Sequence, residues 1–280
     1  LEEALKRWTP ARVYAPGSTP AYSNYATGLA GYIVQRLSGM PFDDYVERNI
    51  FQRLGMTYAT FRQPLPARFQ PFMANGYEVG SGEAKPYELV AIAPAGSSAI
   101  SGADMAKFMI AHLADGGPLL KPETAKLMHS PANEPLPGLN RMMHGFYEQK
   151  VNGLSAIAHG GDTHWFHSDL VLFPEKNVGI YISMNSTGKD GAVSPIRTML
   201  LQAFADRYFP APKPAPKELP TAKEHAALVA GTYESSRMPV RNWAAMLGFV
   251  SQLQIGTDKD GRLSVPDLKS IGDAPQTWIE

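Results

Sequence analysis

Apolar residues recur along this chain with two different periods, and the change between them divides it. Residues 1–8 read as a short helix closed by Pro10, and Pro16, Gly17 and Pro20 mark the loop that follows. After Tyr22-Ser23-Asn24, apolar positions at Leu29, Ala30, Ile33, Val34 and Leu37 fall on one helical face. Gly39 stands where a left-handed C-cap belongs. Pro41 opens another helix with Tyr45, Ile50, Phe51 and Leu54 inward, and Gly55 stops it. Residues 56–100 are rich in Pro and Gly and predict an irregular wrap. Ser101-Gly102-Ala103-Asp104 has the form of a capping box ahead of Met105, Phe108, Met109 and Leu113, a further amphipathic helix.

From Met143 the period shortens to two. Strands are predicted over 143–150, 156–160, 168–173 and 178–185, joined by Val151-Asn152-Gly153 and Pro174-Glu175-Lys176-Asn177. Links this short predict an antiparallel meander. A helix over about 192–208 then covers the sheet and ends before Pro210. Helices, then a sheet, then a helix predict an α+β domain, an antiparallel sheet flanked by helices, over 1–209. Prolines 210, 212, 214, 216 and 220 make 210–223 a stiff linker. Strand-like segments 228–233, 249–256 and 262–265, the last two joined by Asp258-Lys259-Asp260-Gly261, predict a partial small β domain over 224–280.

Charge narrows the partners. Lys+Arg and Asp+Glu are 26 each, giving a formal net charge of +0, so nothing favours nucleic acid or an anionic membrane. A small-molecule or peptide substrate fits better. With no cysteine, disulfides, thiolate zinc sites and cysteine nucleophiles are excluded. No apolar run approaches the ~20 residues of a membrane span. The chain opens at Leu1 within helical sequence and stops at Glu280 after a strand-like stretch, so both ends read as cuts.

Chemistry concentrates in two places. Tyr22 sits on a loop entering a helix, where its phenol can act on a proton if cations stabilise the phenolate. Asn24 offers a donor and an acceptor. The plain alternative is that Tyr22 packs at the surface and Asn24 caps the helix. In Ala158-His159-Gly160-Gly161-Asp162, glycines at a strand end bring bare backbone to a surface, where N–H groups can bind a carbonyl or an oxyanion. The plain alternative is a strand-end turn with a polar histidine. His159, His164 and His167 invite a metal site, but on an extended segment His164 points away and the outer two lie roughly 25 Å apart; no metal or other cofactor is expected. Ser186-Thr187-Gly188-Lys189 spells Ser-x-x-Lys, yet Gly188 and Asp190-Gly191 mark a turn rather than the helix such a pair requires.

Taken in order, Tyr22-Ser23-Asn24 and His159-Gly160-Gly161 resemble the Tyr-x-Asn and Lys-Thr-Gly-type motifs of the serine β-lactamase and penicillin-binding-protein family. The branch is the class C-like one that includes esterases and D-aminopeptidases. Pro16-Gly17, Leu54-Gly55-Met56, Pro94-Ala95-Gly96, His167-Ser168-Asp169-Leu170, Phe173-Pro174-Glu175 and Met184-Asn185-Ser186 extend the similarity over residues 1 to about 209. The resemblance implies a β-lactamase/transpeptidase-like fold and hydrolysis of an amide or ester through an acyl-enzyme. Tyr22 would be the base or proton shuttle, Asn24 an orienting group, and His159 the replacement for the family's lysine. Gly160, Gly161 and Asp162 would hold the substrate, with the Asp162 N–H as half of the oxyanion hole. Trp165, where relatives often carry Pro-Gly, would narrow the cleft beside them. Histidine at 159 favours an esterase or D-amino-acid peptidase, and the resemblance favours an extracytoplasmic location. Only 21 residues precede Tyr22, so the Ser-x-x-Lys nucleophile segment is expected outside these residues, supplied by a second chain or removed. The chain is then expected to be inactive alone. The alternative is a non-catalytic binding or regulatory module on the same fold.

Overall fold

The computed structural model describes residues 1–132, 140–212, 219–237, 243–249 and 251–266. The chain divides into two units: Leu1–Pro10 with Ser23–Ala211, and Ala11–Tyr22 with Pro212–Glu280.

In the first unit, helix α1 (Glu2–Arg7) precedes α2 (Asn24–Ser38), whose limits follow from local chemistry. Ser23 Oγ accepts the Ala26 N–H at 3.3 Å, and Gly39 closes the helix with φ 68°. The buried face is not the predicted one. Leu29, Ile33 and Leu37 are exposed, whereas Gly28 and Gly31 are buried against Ile92 and Pro94. Contact through glycine lets a neighbouring chain approach closer than any aliphatic ridge allows, so apolar spacing pointed to the wrong side. Helix α3 (Phe42–Val46) continues through a π-helical turn, Glu47–Phe51, into α4 (Gln52–Leu54), and Val46, Phe51, Met56 and Ala59 form a local core.

Strands β1 (Ala59–Thr60) and β2 (Ala99–Ile100) pair antiparallel ahead of α5 (Gly102–Leu113) and α6 (Pro122–Met128). Ser101 caps α5 by accepting the Asp104 N–H at 3.2 Å. Asp104 turns away instead of completing the box: its carboxylate accepts from Tyr58 N–H at 2.5 Å and pairs with Lys107.

The main sheet is a meander, β3 (Tyr147–Val151), β4 (Leu154–Asp162), β5 (His167–Phe173) and β6 (Val178–Met184), in the order β3-β4-β5-β6, all antiparallel. Asn152 and Gly153, both with positive φ, make the first hairpin, and Asn177 with φ 51° makes the last. Alternate residues face opposite ways. Ala156, Ala158, Val171 and Phe173 pack with Leu201 and Ala205 of α7 (Val193–Tyr208), while Ile157, Leu170 and Leu172 pack with Met109 of α5. The sheet is therefore a middle layer buried on both faces, as the α+β reading predicts.

In the second unit, α8 (Ala222–Val229) replaces the start of the strand predicted at 228. Lys223 to Leu228 are mostly good helix formers, and their intrinsic preference prevails over the apolar run. β7 (Gly231–Tyr233), β8 (Leu253–Thr257) and β9 (Leu263–Ser264) form a three-stranded antiparallel sheet. Asp258 Oδ1 accepts the N–H groups of Asp260 and Arg262 in the turn before β9. Residues 213–218 of the proline-rich segment and 267–280 of the C-terminal part lie outside the described residues. Among the described residues, no helix is long and apolar enough to cross a membrane.

Candidate active site

The site is built where one strand outruns another. β3 accompanies β4 only as far as Tyr147 opposite Ala158, while β5 continues beside β4 to His167 opposite Asp162. From His159 to Asp162, β4 therefore has a strand neighbour on one side only among the described residues. The Tyr147 phenol fills the first rung of the open side, accepting the Gly160 N–H at 2.9 Å. N–H groups two apart on a strand point the same way, so the Asp162 N–H is directed to that same open edge.

The two glycines are explained by crowding, not by special φ. A Cβ on Gly160 would lie 2.8 Å from Asp169 Oδ1 and 3.3 Å from Tyr147 Oη, and one on Gly161 would lie 3.0 Å from Ser168 Oγ. His159 is half-buried, with its ring centroid 5.8 Å from that of Tyr147. Its Nδ1 lies 2.7 Å from the Gly160 carbonyl, which only accepts, so Nδ1 carries a proton.

Behind the edge stands a polar cluster that no motif announced. Asp162 Oδ1 lies 2.6 Å from His167 Nδ1 and 3.0 Å from the Arg197 guanidinium. Arg197 also donates to the Ser168 carbonyl at 2.9 Å and stands 3.7 Å from Asp169. Burial pushes the Asp169 carboxyl above the usual carboxylate range, and the nearby Asp162 charge adds to this against the pull of Arg197. Burial likewise raises the Tyr147 phenol. The turn between β4 and β5 is held by Glu88, whose carboxylate accepts the Thr163 hydroxyl at 2.6 Å, the His164 N–H at 2.8 Å and the Trp165 N–H at 3.2 Å. Trp165 packs on Gly76, with Lys85 Nζ 5.3 Å from the centre of its ring.

The histidines are arranged differently from an extended chain. The hairpin folds the segment back, with His159 opposite Leu170 and His167 opposite Asp162. The long span reckoned for an extended segment therefore does not apply. Among the described residues, no group of three or more His, Asp or Glu side chains is placed to hold a metal. Ser186 and Lys189 lie in the loop after β6, where Gly188 has φ 76°, so they do not share a helix face.

Asn24 is the exposed first residue of α2, and Ser23, not Asn24, supplies the cap. Tyr22 belongs to the second unit, where the Arg237 guanidinium lies 4.7 Å from the centre of its ring and Ser236 Oγ donates to the Pro20 carbonyl at 2.7 Å. Within the first unit the structure gathers His159, Gly160, Gly161 and Asp162, and adds Tyr147, His167, Asp169 and Arg197.

Residues 1–203 match the Beta-lactamase family profile, and the chain belongs to that family. An Escherichia coli (strain K12) protein provisionally assigned as a D-alanyl-D-alanine carboxypeptidase is 44% identical over 69 residues, which is 25% of this chain and 15% of that protein. The provisionally assigned penicillin-binding protein PbpX of Bacillus subtilis (strain 168) is 34% identical over 128 residues, 45% of this chain and 30% of that one. The chain thus spans a minor part of these relatives. Among solved structures, a β-lactamase/D-alanine carboxypeptidase from Pseudomonas syringae has a TM-score of 0.58 at 18% identity, covering 71% of this chain and 64% of that one. A D-amino acid amidase from Ochrobactrum anthropi has 0.55 at 23%, covering 69% and 60%. These likenesses show the β-lactamase/transpeptidase-like fold.

Proposed function

We propose that this chain holds and polarises the substrate in a serine hydrolase that cleaves an ester or amide next to a D-configured residue. The observation that carries the reading is the open edge of β4, where the directed Asp162 N–H and the His159 imidazole flank two glycines. A carbonyl laid against that edge meets backbone at close range, and its oxygen gains charge as a nucleophile adds. Tyr22 takes the serine proton and passes it to the leaving alcohol or amine. Asn24 orients the substrate amide, and His159 donates to the substrate or the proton network. The serine oxygen bonds to the carbonyl carbon, the leaving group departs with that proton, and water then cleaves the acyl-enzyme. The Ser-x-x-Lys motif acts from outside these residues, on the same polypeptide or a second chain. The relatives named for D-alanyl-D-alanine carboxypeptidase and D-amino acid amidase activity support the substrate class.

The test uses the complete natural protein with p-nitrophenyl esters and a D-alanine p-nitroanilide. Hydrolysis is expected, with kcat about a hundredfold lower in Tyr22→Phe. Undiminished turnover in that variant would remove Tyr22 from the mechanism. Binding without any hydrolysis would favour the non-catalytic module.

A further inference from the structure

His167 has no part in the chemistry just described, yet it is one of the buried polar side chains among the described residues, and both of its ring nitrogens have partners. Its side chain is 8% exposed and it opens β5 opposite Asp162. Nδ1 lies 2.6 Å from Asp162 Oδ1, and Nε2 lies 3.2 Å from Thr187 Oγ1. Thr187 donates its hydroxyl to the His164 carbonyl at 2.6 Å. A hydroxyl has one proton and a carbonyl has none, so with that bond made Thr187 only accepts from the imidazole. On the other side, the Asp162 carboxylate, already against the Arg197 guanidinium, also accepts. A neutral imidazole carries one N–H and satisfies one of these acceptors. Satisfying both requires two.

We propose that His167 is a positioning residue that donates from both ring nitrogens, as an imidazolium, and thereby locks the turn that ends in the open edge of β4. The bond through Nδ1 keeps the Asp162 carboxylate beside Arg197. The bond through Nε2 ties the loop after β6, by way of Thr187, to the His164 carbonyl inside the turn. Glu88 holds the same turn from the loop that precedes β2. The charged groups around the imidazole are thus Asp162 of β4, Arg197 of α7 and Asp169 of β5, with Glu88 across the turn. The consequence for catalysis rests on the proposed function. A carboxylate free to swing to the open edge would set negative charge where an oxyanion forms, and a loose turn would misplace the Asp162 N–H.

The proton count is tested without any activity, by ¹⁵N NMR of the folded chain with labelled histidine at about neutral pH. Directly bonded protons on both ring nitrogens of His167 are expected, and a bare nitrogen overturns the proposal. The locking role is tested by hydrogen exchange at the His164 and Trp165 amides, expected to accelerate at least about tenfold in His167→Phe. Should that variant fail to fold, Thr187→Val, which removes the Nε2 acceptor together with the hydroxyl's own bond to the His164 carbonyl, is expected to give at least the same acceleration. Unchanged exchange in the folded variants overturns the lock. In the complete natural protein, His167→Phe is expected to lower kcat about tenfold or more with KM nearly constant, because the N–H acts on the transition state. If the wild-type protein hydrolyses nothing, the proposed function fails while the NMR and exchange results still decide on His167. If it hydrolyses normally and His167→Phe changes KM alone, the positioning role fails and the function stands.

Discussion

At the scale of single residues, the edge of β4 is defined by what cannot be added to it. Gly160 has ordinary strand geometry, so its value lies in missing bulk. A methyl group there would stand 2.8 Å from a carboxylate oxygen and 3.3 Å from a phenol oxygen. Asp169 could yield only by leaving Arg197, and Tyr147 only by giving up the Gly160 N–H. Burial has already raised both of these groups, so neither gains water easily by moving. Gly160→Ala is therefore expected to cost about 1–3 kcal/mol of stability, measured by denaturant titration. In the complete natural protein it is expected to lower turnover about a hundredfold through misplacement of the edge. A variant as stable and active as the parent would show that the crowding is relieved elsewhere.

At the scale of elements, helix α2 shows where reading the sequence works and where it stops. Its C-terminal end was legible, because Gly39 carries its capping chemistry in the missing side chain, whereas its N-terminal cap is Ser23 and not the Asn24 that the sequence offered. Its buried face was not, because Gly28 and Gly31 give no hydrophobic signal and the partners Ile92 and Pro94 lie far along the chain. The strands of the sheet were largely legible, since Asn152-Gly153 and Asn177 set two of its three hairpins locally. Of the candidate site, the His-Gly-Gly strand end was legible from its own letters. Tyr147, Arg197 and Glu88 were not, since each reaches the site from a different element with no motif around it. Glycine packing also makes a prediction with two opposing parts. Alanine is the better helix former by about 1 kcal/mol. A Cβ at Gly31, however, would fall 2.5 Å from Pro94 Cγ and 2.8 Å from Pro94 Cβ, atoms of a rigid ring. The clash is the larger effect, so Gly31→Ala is expected to lower the melting temperature. A rise would mean that the loop carrying Pro94 shifts freely.

At the scale of the whole molecule, the first unit holds buried titratable groups whose sum sets its response to acid. His112 of α5 and His129, just after α6, share a hydrogen bond of 3.0 Å between Nδ1 and Nε2 inside a box with Phe108 and Phe146. One proton bridges the two rings, so the bond fails once both imidazoles are charged. Burial, with the neighbouring His129, lowers His112 to about 4, and burial also lowers His129. The folded state thus binds these protons later than the unfolded chain, whose histidines titrate near 6.5. Stability from this pair is complete above that value and drains away as pH falls toward 4, by up to about 3 kcal/mol for His112. Glu148, held to about 2 chiefly by the Arg141 guanidinium, behaves the same way in a lower window, losing its contribution as pH falls below the unfolded carboxylate range. Asp43 and Asp169, raised mainly by burial, act with the opposite sign, because their folded carboxyls take up protons first. They oppose the histidines in part of the same range, so the raw slope of the parent is not a measure of the pair. The difference between parent and variant isolates it. His112→Asn, which keeps a donor and an acceptor but cannot be charged, is expected to be less stable than the parent at about pH 7 and to lose less between about pH 6.5 and about pH 4. Thermal melts across that range check it, and parallel curves for the two proteins would show that the ring pair carries no acid sensitivity.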